Sequence, residues 1–199
     1  MIEAIISLVT ASALLLGSPG PATLGLAGVG ATYGIRGGVH FLGGILVGLC
    51  AVILGATLGL ATLFASFPGA RIFVQVIGGL YICYIAIKIA TAPHVADSVA
   101  VARERPGFRD GFILNLLNPK AYAVFFALFS QFLLPISSVA GAFVTTALVC
   151  FAVAVVVDSI WLSFGSVIRP LFKNPRQARF VRVLFAVLMV GAVLWAFTQ

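Results

Sequence analysis

Hydrophobic positions in this chain run in long blocks with sparse polar interruptions. Ala4 to Ile35 carries no charged residue, and neither does Gly37 to Ala70. Ile72 to Ile87 continues past Lys88 to about Thr91. A polar stretch follows at 92–109, with His94, Asp97, Arg103, Glu104, Arg105 and Arg109. Gly111 to Leu134, Val139 to about Gly165 and Val181 to Phe197 complete the apolar blocks. Pro135, Ser137 and Ser138 separate the fourth from the fifth. A helix rises about 1.5 Å per residue, so roughly 20 apolar residues cross the hydrocarbon core. The pattern therefore predicts an all-α membrane protein with six transmembrane helices. Helices 1 and 4 are broken, near residues 18 and 118. Glu3 and the lack of Lys or Arg before Arg36 make a poor secretory leader, so the first block is expected to stay as a span.

The spans divide three and three about the polar stretch. Residues 1–91 form a first three-helix repeat, 92–109 a cytoplasmic linker and 110–199 a second repeat. With an odd number of spans in each half, the two repeats insert in opposite directions. Pro19 and Pro119 are 100 residues apart, as are Cys50 and Cys150, and Phe64-x-Ser66 and Phe164-x-Ser166. Interrupted segments at matching positions of two halves point to a transport site.

Composition sharpens the class. The 199 residues are 62% hydrophobic and 9% charged, with a mean hydropathy of +1.19. A soluble domain carries about 25% charged residues. The chain cannot cover a water-facing surface, which excludes a soluble enzyme, a nucleic-acid-binding domain and a disordered chain. Its formal charge of +7 sits in two clusters, Arg103–Arg109 and Arg169–Arg182, between apolar blocks. With the N-terminus outside, the inner loops hold Arg36, Arg103, Arg105, Arg109, Arg169, Lys173, Arg176, Arg179 and Arg182, and the outer loops only Arg71. Inner loops carry the excess of Lys and Arg, so both termini are expected outside. Cys50, Cys83 and Cys150 lie within apolar blocks and form no CxxC pair, which supports neither a disulfide framework nor a metal knuckle. HExxH and GxSxG are both absent, so no catalytic constellation is expected.

Candidate chemistry gathers at the breaks. Gly17-Ser18-Pro19-Gly20-Pro21 cannot continue a regular helix. The freed backbone groups must bond within protein or face a water-filled cavity. Pro21 is suited to begin a second half-helix, whose first amides can hold a carboxylate. The plainer reading is a kink at the membrane edge. The second break is Asn115-Leu116-Leu117-Asn118-Pro119-Lys120. An intramembrane lysine costs about 3 kcal/mol unless it pairs or faces water. Lys120 therefore binds an anionic group, pairs with a buried acid, or snorkels to the interface. Asp158 is the one acid deep in a span, where acids mark ion or proton paths. The alternative is a structural ion pair. Gly44, Gly48, Gly55 and Gly59 line one face of the second span and predict close helix packing. His40 reads as a hydrogen-bonded edge residue. Trp161, Trp195, Tyr81 and Tyr84 read as interface anchors or packing groups.

Several of these residues occur in a familiar order. Ser18-Pro19-Gly20-Pro21 precedes Gly34-Ile35-Arg36-Gly37-Gly38 and Leu42-Gly43. Gly111-Phe112-Ile113-Leu114-Asn115-Leu116-Leu117-Asn118-Pro119-Lys120, Phe125-Phe126, Gln131-Phe132 and Asp158-x-x-Trp161 follow. The chain resembles the LysE/RhtB family of bacterial amino-acid exporters over nearly its whole length. The resemblance implies an inner-membrane, proton-driven exporter of amino acids or their derivatives, as a homodimer, with no cofactor. It also implies that Pro19, Gly20, Pro21, Asn115, Asn118, Pro119 and Lys120 occupy signature positions. Ala22 and Thr23 depart from it, since family members commonly carry Asn after the Gly-Pro pair, and Ser130 stands where proline is common.

The expected substrate site comprises Ser18, Pro19, Gly20, Pro21, Ala22, Thr23, Asn115, Asn118, Pro119 and Lys120, with Asp158 coupling to protons. One buried acid beside one buried lysine favours a neutral amino acid over a basic one. Three alternatives remain: a divalent-metal exporter, although one buried acid and two histidines fall short of a ligand set; a thiol carrier, although the cysteines lie away from the breaks; and a lipid-handling protein whose breaks are only kinks.

Overall fold

The computed structural model describes residues 1–57, 83–87, 105–168 and 175–196, together with 76, 80, 90 and 91. The helices are α1 (Ile2–Gly17), α2 (Pro21–Thr57), α3 (Phe108–Leu116), α4 (Pro119–Gln131), α5 (Val139–Ile168) and α6 (Pro175–Ala196). No strand occurs among the described residues. α2 and α5 are each long and apolar enough to cross a membrane, and α3 and α4 reach that length only together, bent by 58° at the break between them. Residues 83–87 are helical, with Ile85 and Ala86 buried. The rest of the predicted third span lies largely outside the described residues. So do most of the polar linker, Gly59, Tyr81, Phe64, Ser66 and the side chain of Trp195.

α2 runs through what the sequence divides into parts of two spans. Straight, its 37 residues would reach about 55 Å, well beyond a hydrocarbon core of roughly 30 Å. The chain turns at Gly34, where φ is 74° and ψ is 176°. A side chain would crowd the backbone at that φ, so glycine sets the position of the turn. The first break is as expected: α1 stops at Gly17 and α2 starts at Pro21, whose missing N–H costs nothing at a helix start. α3 starts at Phe108, inside the predicted linker, because the Asp110 carboxylate accepts from the Gly107 N–H at 2.7 Å. α4 ends at Gln131, short of the predicted Leu134, and the Leu134 N–H bonds the Thr146 hydroxyl at 3.1 Å instead. α6 starts at Pro175, about two turns before the predicted Val181.

Glycines set the helix crossings. A Cβ on Gly44 would strike the Phe108 carbonyl, and one on Gly111 the Phe41 carbonyl, so α2 and α3 meet through reciprocal glycines. Gly30 and Gly165 do the same for α2 and α5, against the carbonyls of Leu162 and Ala27. Small residues let backbones approach where lipid supplies no hydrophobic drive. Gly44, Gly48 and Gly55 are buried, and the first two face α3, in line with the packing role read from their spacing. Two apolar clusters result. One joins both parts of α2 to Leu114, Leu162, Phe185 and Ala186. The other joins Leu8 to the end of α2, to α4 and to Cys150 and Ala154 on α5. Leu14, Leu54, Leu148, Val156, Ile160 and Leu194 point outward, the apolar exterior of a protein solvated by lipid.

Candidate functional site

Both breaks fall at one place, between α1, α2, α3, α4 and α5. Gly20 begins the turn into α2: its carbonyl accepts from Leu24 N–H at 2.9 Å, and its own N–H donates to the Thr23 hydroxyl at 2.9 Å. Thr23 thus plays the part that Glu or Gln plays in a capping box. At the second break Asn118 is the N-cap of α4, and its side-chain oxygen accepts from Lys120 N–H at 3.2 Å. The proline after it holds Asn118 extended, as α4 requires. Asn115 donates through its side-chain nitrogen to the Ile45 carbonyl at 2.9 Å, which ties α3 to α2.

The end of α1 leaves carbonyls that its own helix cannot satisfy. Side chains from the far half of the chain reach them. Trp161 on α5 donates its indole N–H to the Gly17 carbonyl at 3.1 Å. The Lys120 ammonium donates to the Ser18 carbonyl. A cation at a helix C-terminus also meets the negative end of the helix dipole. Gly20 makes this possible, because a Cβ there would lie 2.8 Å from Lys120 Cδ. Tyr122 closes α3 in the same way, donating to the Leu116 carbonyl at 2.8 Å.

A cavity of about 30 Å³ lies among these groups, room for a water or two. Seven predicted residues line it: Gly20, Ala22, Thr23, Asn115, Asn118, Lys120 and Asp158. Leu16, Leu49, Ala121, Val124 and Ala154 complete its apolar wall among the described residues. Asp158 is 7% exposed, on the one face of α5 that also buries Thr146, Cys150, Ala154 and Leu162. Lys120 and Asp158 feel each other's charge across the cavity without a direct ion pair among the described residues. Four predicted residues do not line it. Ser18 turns its hydroxyl back to the Leu15 carbonyl at 2.9 Å, Pro19 is exposed, and Pro21 and Pro119 open their helices. The capping by Trp161 was not read from the sequence, where the residue passes for an anchor. Its only signal is its place one turn after Asp158.

Interrupted helices that meet at a small polar cavity, with an ammonium and a carboxylate on its wall, are the arrangement expected at the site of a membrane transporter. The family is more specific. Residues 13–198 match the model of the LysE type translocator, and the chain belongs to that family of transporters. The chain is 27% identical over 188 residues to a homoserine/homoserine lactone efflux protein of Salmonella typhimurium, covering 92% of this chain and 91% of the relative. A protein of the same description from Salmonella typhi is 26% identical over the same coverage. No solved structure matches.

Proposed function

We propose that the protein exports amino acids or close derivatives, neutral ones in preference to basic ones, from a bacterial cell across the inner membrane. The observation that carries this reading is one cavity bearing both Lys120 and Asp158 in a chain of a translocator family. A zwitterion carries both complementary charges. Its carboxylate would take the Lys120 ammonium and the start of α2 near Gly20–Thr23. Its ammonium would take Asp158, which between substrates carries the proton that couples export to the gradient. Asn115 and Asn118 would supply amide contacts. The halves 1–91 and 110–199, joined by 92–109, would act as inverted repeats that open the cavity to either side in turn. Both termini would face the periplasm, and the protein would work as a homodimer.

The test is an efflux panel. Cells with and without the protein are loaded with dipeptides, and released amino acids are measured with and without a protonophore. Homoserine and its lactone are added because relatives are named for them. Protein-dependent, protonophore-sensitive release of a few neutral amino acids is the expected result. Release unaffected by the protein across the panel overturns it. Asp158→Asn is expected to cut release at least about a hundredfold, the range for losing a proton-transfer group, and to leave what release remains insensitive to protonophore. Full proton-driven release by Asp158→Asn removes that residue from the relay.

A further inference from the structure

The site at the helix breaks does not use Arg182, on α6. This arginine is 7% exposed, and its Nε and Nη1 are buried without a hydrogen-bond partner among the described residues. Burying guanidinium nitrogens without a partner is costly, so two such nitrogens on one arginine call for an anion. Its electrostatic neighbours are Tyr33, at the end of the first part of α2, and Arg179, one turn back on α6. Tyr33 supplies no fixed negative charge, and Arg179 adds positive charge. Arg176 and Arg179 are exposed on the turns leading to Arg182, so three guanidiniums rise along one side of α6 toward the apolar cluster. Beyond them the outer surface of the same helix becomes apolar, with Phe180 68% and Val187 60% exposed.

We propose that Arg176, Arg179 and Arg182 hold the phosphate of an anionic phospholipid whose acyl chains lie along the apolar outer surface of α6. A free anion would satisfy the arginines alone. A phospholipid satisfies them and the adjoining apolar surface together, and basic pockets between membrane helices are suited to such headgroups. Guanidinium is also the cation best matched to phosphate oxygens. This inference does not rest on what the protein exports.

The test uses the full protein in nanodiscs of phosphatidylcholine doped with phosphatidylglycerol, and native mass spectrometry to count retained lipid. Wild type is expected to retain phosphatidylglycerol in preference to phosphatidylcholine. Arg179→Gln is expected to weaken that preference about fivefold, the effect of one basic residue at an anionic surface. Arg182→Gln is expected to weaken it at least tenfold, since it removes the buried charge. Thermal unfolding in detergent supplies the second arm: phosphatidylglycerol raises the unfolding temperature and inorganic phosphate at the same concentration does not. Equal stabilisation by inorganic phosphate would assign the site to a free anion and overturn the lipid. Unchanged preference in Arg182→Gln overturns the site. Should that variant fail to fold, Arg179→Gln decides, because its side chain is exposed and its loss leaves the core intact.

Discussion

At the residue scale, the polar side chains near the breaks close helix ends as well as line a cavity. Lys120 holds the Ser18 carbonyl, Trp161 the Gly17 carbonyl and Tyr122 the Leu116 carbonyl. Trp161→Phe keeps the ring and removes only the indole donor. It is expected to cost about 1 kcal/mol, the typical net worth of one hydrogen bond, measured by unfolding in detergent. Residue types at the breaks were legible in the sequence, because Gly, Pro, Asn and Lys in apolar surroundings demand explanation. Their partners were not. The Ser18 carbonyl lies 102 residues from Lys120, and nothing in local spacing names a backbone oxygen as its acceptor.

At the element scale, the helices are placed by glycine. The turn at Gly34 was legible only as a boundary near Ile35, since a single positive φ leaves no periodic trace. Gly34→Ala is expected to destabilise the protein by about 1–3 kcal/mol, the cost of holding a residue with a Cβ in a backbone region that is essentially glycine's alone. Thermal unfolding of the purified variant checks it. Gly165→Leu is expected to act more strongly, because its side chain would meet the Ala27 carbonyl on α2. Backbone must then shift, and overpacking costs about 1–3 kcal/mol. A reduced yield of folded protein, with Gly141→Leu as a tolerated control in a looser setting, is the expected readout. The sequence marked Gly44 and Gly48 by their helical spacing. It did not mark Gly30, Gly111 and Gly165, whose partners come from distant segments.

At the scale of the whole molecule, the cavity belongs to five helices, and no one of them would form it alone. Its volume of about 30 Å³ admits water and is far below the roughly 300 Å³ at which pockets for larger ligands begin. An organic solute must therefore widen it. Ala154 is a small residue in its wall, and Ala154→Leu fills the space from the α5 side. Export by this variant is expected to fall at least about tenfold at unchanged membrane abundance, since displaced binding geometry is costly at that scale. Dipeptide-loaded efflux normalised to protein level measures it. That the spans run in apolar blocks was legible from composition alone. How their faces combine was not, because an all-apolar helix carries no stripe to say which side turns inward.

The capping of α1 by distant side chains also sets an order of events during synthesis. Lys120 and Trp161 lie 102 and 144 residues after the carbonyls they close. At about 5–20 residues per second, the ribosome needs roughly 5–30 s to deliver them. Through that interval α1 and the first turn of α2 are already made while two backbone oxygens await their donors. The end of α1 is thus built well before the side chains that close it.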